Sequence, residues 1–184
     1  MTSSTGTADG LDDLNRGDGM KTLIRTLILL ALIVWLGAEI FFPIVAKVAF
    51  DQLSPDLHGF GQIIGALLRI LHWMGMVCGV VLLALLALAP AWGVFQSRLV
   101  LAPMALIVVM LGLTAYSQFG IIPAMERDRA AVGGAIDAAA PDNPARLDFN
   151  RLHGRSTTVE GAALLLGIAV VGLVGFAESA RRSV

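Results

Sequence analysis

Nine ionisable side chains sit at the ends of long apolar runs or inside them: Glu39, Lys47, Arg69, His72, Glu126, Arg127, His153, Arg155 and Glu160. A charged side chain at mid-bilayer costs at least about 2.5–3.5 kcal/mol, so such groups face inward and pair. Glu39 lies eight residues before Lys47, about 12 Å away along a helix. Glu160 lies seven residues past His153, about 10 Å away and nearly on the same stripe, with Thr157 between them. Arg69 and His72, three apart, share a helix face. The expected pairs are Glu39 with Arg69 or Lys47, and Glu160 with Arg155 or His153.

Two readings of this cluster stay open. In one it is a polar pocket or ion pathway at one membrane face, serving transport or binding of a small solute, ion or metal. In the other it is a salt-bridge network that only fixes helix packing. A third chemistry uses His72 and His153 together to hold haem or copper. Met76, one turn past His72, would add a soft ligand. No dedicated metal site or required cofactor is spelled out, and His58, in a connecting loop, reads as solvated. No G-x-S-x-G, H-E-x-x-H or P-loop is present, so no catalytic residue is assigned and an enzyme is not expected.

The elements that must position these groups follow from composition. Hydrophobic residues make up 57% of the 184 and charged ones 15%, where soluble domains carry about 25% charged residues. Mean hydropathy is +0.79. The medium around most of this chain must be lipid. Four runs reach the roughly 20 apolar residues that a crossing needs: Thr26 to Ala46, Ile70 to Ala89, Leu99 to Ile122 and Thr157 to Ala177. The expected fold is all-α, a transmembrane four-helix bundle over residues 21–180, after a disordered polar tail over 1–20. The first run is too long for the core of a signal peptide, which takes about 7–15 residues.

Ser54-Pro55-Asp56 resembles a helix start with Ser54 as cap, and Asn143-Pro144 resembles another. Residues 126–140 mix charges, alanines and two adjacent glycines, and read as a broken helix on the membrane surface. Gly61 with Gly65, and Gly75 with Gly79, have the spacing that lets helices approach closely. Trp73 and Trp92 suit membrane interfaces, whereas Trp35 lies deeper. Tyr116, Ser117 and Gln118 border the proposed pocket. Pro43 and Pro123 near the ends of odd spans, with His72 and His153 near the starts of even ones, outline a two-hairpin pseudo-repeat.

Net charge is −1 and no basic arm appears, so nucleic acid is not an expected partner. The partner is the bilayer. Four helices are few for a transporter, and a homodimer is the expected assembly. Cations are split almost evenly between the two ends of the spans. The expected location is the bacterial inner membrane, with both termini cytoplasmic. The single cysteine, Cys78, leaves the redox compartment open.

Trp35-Leu36-Gly37-Ala38-Glu39-Ile40-Phe41-Phe42, followed by Pro43 and Lys47, then Leu71-His72 and Leu152-His153-Gly154-Arg155-Ser156, resembles the transmembrane-protein-205-like family. The resemblance covers roughly residues 22–178. It implies a four-span membrane domain of unknown function and carries no catalytic residues with it. The family's eukaryotic namesake is linked with platinum-drug resistance, which implies some tie to metal handling or trafficking.

Overall fold

The side chains that pack inward recur at spacings of three and four along the long runs, and that period closes helices into a bundle. The structure is a computed structural model that describes residues 5–53 and 56–182. Every described element is helical. They are α1 (Thr5–Leu53), α2 (Leu57–Leu88), α3 (Ser97–Tyr116), a π-helical turn (Ser117–Ile121), α4 (Ile122–Ala131), a short 3-10 turn (Ile136–Ala138) and α5 (Pro144–Arg182). α3, the π turn and α4 run on as one rod.

Four rods are long and apolar enough to cross a membrane: Gly17–Leu53, Leu57–Leu88, Ser97–Ala131 and Pro144–Ala180. The shortest has 32 residues, or about 48 Å, which exceeds a hydrocarbon core of about 30 Å. Their ends therefore stand clear of the acyl chains. α1 packs on α2, α2 on α3, α3 on α5, and α5 returns to α1, which closes the ring. Large apolar side chains such as Ile33, Val77, Leu101 and Leu165 point outward. A helix that is apolar all round belongs in lipid, and the chain is a multi-pass membrane protein.

One stripe per helix faces the axis. Ile24, Ile28, Leu32 and Trp35 come from α1, Leu82 and Leu86 from α2, Val100, Ile107 and Met110 from α3, and Ala163, Val170 and Val174 from α5. Gly75 and Gly79 serve this packing through a side chain. The Trp35 indole lies across them, so a Cβ on Gly75 would stand 2.6 Å from Trp35 Nε1, and one on Gly79 2.6 Å from Leu111.

Three local expectations change. α1 starts at Thr5, so a helix runs through most of the stretch expected to be a disordered tail; residues 1–4 lie outside the described residues. Once the apolar span has nucleated a helix, each further turn forms without a new nucleus. Ser54 and Pro55 also lie outside the described residues. The observed cap of α2 is Asp56, whose carboxylate accepts from the Gly59 backbone N–H at 2.9 Å. Glu126 to Ala131 is no separate surface helix, because the π turn carries the third span straight into α4. The break falls at Gly133 and Gly134, with φ of 74° and 98°, a region where side chains other than glycine are disfavoured. Asn143 then starts α5, its side chain accepting from the Ala145 N–H at 2.9 Å.

Candidate functional site

The inward stripes end in polar residues at one level of the bundle. On α1 the series Ile28, Leu32, Trp35 continues to Glu39; on α2 the series Leu82, Gly79, Gly75 runs back to His72. On α3 it passes Thr114 and reaches Ser117, and on α5 it passes back from Ala163 to Glu160 and Ser156. Each side chain is thus placed by the same three-and-four spacing that builds the core.

His72 is fully buried, at 0% exposure. Its Nδ1 is hydrogen-bonded to Gln118 Oε1 at 3.1 Å, and its Nε2 to Glu160 Oε1 at 2.8 Å. The Ser117 hydroxyl donates to the same Glu160 oxygen at 3.1 Å. Both ring nitrogens therefore meet oxygens. The hydrogen of the shorter contact lies between two groups that can each carry it. The network ties α2 to α5 through the π turn. Ser117 and Gln118 open that turn, and both are buried. π turns are rare and gather at functional sites.

Glu39 is 5% exposed and stands beside the Trp35 indole, whose buried Nε1–H is directed to its carboxyl. Glu160 and His72 are the charged groups near enough to act on it. A void of about 10 Å³ borders Glu39, Trp35, Leu32, Leu82, Ile107 and Met110. That is about one water's room, and most of its walls are apolar.

The nine expected residues do not form a single cluster. Glu39, His72 and Glu160 come together in the interior. Neither expected partner reaches Glu39: Arg69 pairs with Glu126, and Lys47 with Asp51 at 2.5 Å. Glu160 takes His72 and Ser117 in place of Arg155 or His153. Arg127 and Arg155 are exposed, as is His153, which stacks on Phe149 with ring centroids 6.5 Å apart. The reason is reach: long cations near helix ends extend to water and to acids on neighbouring turns, while a short inward carboxylate cannot.

The haem or copper reading fails on the same geometry. His72 has both nitrogens engaged inside the bundle and His153 lies on its surface, so the two do not share a ligand. Among the described residues no three His, Cys, Asp or Glu side chains gather at metal-holding distance. The repeat-related histidines thus have unlike environments. Sequence reasoning placed Ser117 and Gln118 only at the border of a pocket.

Residues 30–131, more than half of the chain, match a family described as a domain of unknown function, DUF4149. The match holds Glu39, His72, Ser117 and Gln118, while Glu160 lies beyond it. No curated protein and no solved structure matches the chain. With four helices fit to cross a membrane and this match over its first three, the chain belongs to the DUF4149 family of unknown function.

Proposed function

We propose that this protein binds and passes protons within the membrane, as a small non-enzymatic carrier or channel unit coupled to movement of a small solute or ion. One observation carries the reading: three ionisable groups from three helices, Glu39, His72 and Glu160, meet at one level of the interior. Ionisable residues inside a bundle mark proton relays and substrate paths. His72 and Glu160 are hydrogen-bonded to each other at 2.8 Å, and Glu39 is the carboxyl left over. A hard metal cation seeks six or more oxygens; the void at Glu39 offers about 10 Å³ and mostly apolar walls. A proton is the cation that fits.

The same reading takes the protein as residing in a bacterial inner membrane with cytoplasmic termini, as a homodimer. The resemblance to the transmembrane-protein-205-like family agrees with a membrane role and adds no reaction. The test uses the full chain in liposomes loaded with a pH-sensitive dye under an imposed potassium diffusion potential. Proton entry is expected with the wild type and not with Glu39→Gln. Entry no faster than in protein-free liposomes overturns the reading, as does an unchanged rate in Glu39→Gln.

A structural role is the second reading. It is favoured by the closed hydrogen bonding of His72 to Gln118 and Glu160. In that case all three residues affect thermal stability and none affects proton entry.

A further inference from the structure

On the outer side of the bundle α3 and α5 leave a cleft of about 370 Å³, lined by Tyr116, Arg151, Gly154, Arg155, Thr158 and Val159. None of these residues belongs to the His72 network. We propose that this cleft holds the phosphate headgroup of an anionic phospholipid.

The charge is right. Arg151 and Arg155 stand one turn apart on the same face of α5. Arg151 is engaged by Asp148 through one Nη2, and Arg155 is exposed and makes no ion pair among the described residues. Two guanidinium groups against one carboxylate leave a local excess of one positive charge. A guanidinium fork matches two oxygens of a phosphate, which a point charge does not.

The shape is right as well. Gly154 leaves the floor open, since a Cβ there would meet nothing within 4 Å. The Thr158 hydroxyl donates to the Gly154 carbonyl at 3.0 Å, which leaves its oxygen free to accept from a headgroup hydroxyl. Tyr116 supplies a phenol from α3 and is half exposed, as aromatic residues at bilayer interfaces are.

The depth selects a lipid over a free anion. Arg155 lies about 7.5 Å nearer the helix start than Glu160 at 1.5 Å per residue, so the arginines stand at headgroup level above the buried layer. Continuing along the same face at helical spacing, α5 presents Leu165, which is exposed. An acyl chain hanging from the bound phosphate would lie on that apolar strip. Basic pockets between membrane helices bind acidic headgroups by the same electrostatics.

The test is native mass spectrometry of the full chain exchanged between phosphatidylglycerol and phosphatidylcholine. The wild type is expected to retain phosphatidylglycerol preferentially. Arg155→Gln should weaken that preference about fivefold, and adding Arg151→Gln should weaken it about fivefold again. Both side chains are exposed, so the variants should unfold at the wild-type temperature in phosphatidylcholine. Millimolar inorganic phosphate should not displace the lipid. An undiminished preference in the double variant overturns the proposal. So does displacement by inorganic phosphate, which would mark the cleft as a site for small anions.

Discussion

His72 takes its position from α2 and its partners from α5 and the π turn, so one substitution there reaches three helices. Replacing it with Ala leaves the Glu160 carboxyl without its main partner. Removing one member of a buried pair is expected to lower stability by about 3–5 kcal/mol. Thermal unfolding in detergent checks this, and the double change His72→Leu with Glu160→Leu should recover much of the loss, because an apolar pair needs no partner. Glu39 differs. Its carboxyl borders the small void, with the Trp35 N–H as its neighbour. Glu39→Gln keeps the shape and an oxygen for the Trp35 N–H while removing the charge, so the folded state should survive with a loss of about 1 kcal/mol at most, the worth of one hydrogen bond. Proton entry into liposomes should disappear in the same variant. A fall in stability as large as that of His72→Ala would argue for the structural role.

At the scale of the element, two devices set the geometry. The first is the seat for Trp35 on α2. Gly75→Ala would place a methyl 2.6 Å from Trp35 Nε1, and overpacking of this kind costs about 1–3 kcal/mol. A lower unfolding temperature, relieved by Trp35→Phe, would identify the indole as the cause. The second is the π turn at Ser117–Ile121. Deleting Gly120 would remove the extra residue and convert it to an α turn, so the wide turn that presents Ser117 and Gln118 to the interior is lost. The deletion should lower the unfolding temperature more than Gly120→Ala, in which a Cβ approaches only the Tyr116 ring, at 3.4 Å.

For the whole molecule, closure of the ring depends on α1 meeting α5. Near the termini Arg25 Nε stands 3.5 Å from Glu178 Oε2, each side chain about a quarter exposed. Partly exposed pairs contribute up to about 1 kcal/mol. Arg25→Glu should lower stability by about that amount, and adding Glu178→Arg should restore it. A double-variant cycle of unfolding temperatures measures the coupling.

The sequence alone determined the medium, the number of crossings and the helical character. All three follow from local quantities: run length and the scarcity of charge. It also marked the depth at which Glu39, His72 and Glu160 occur, because depth along a helix is a simple count of residues. What only the tertiary structure decided was partnership. Arg69 stood close to Glu39 in expectation and went to Glu126 instead; Glu160 turned from its own helix to a histidine 88 positions away. Which stripe faces which is fixed by the rotation of each rod about its axis. That rotation follows from the Trp35 seat on α2 and the extra residue of the π turn, features of packing that no single helix carries in its own pattern.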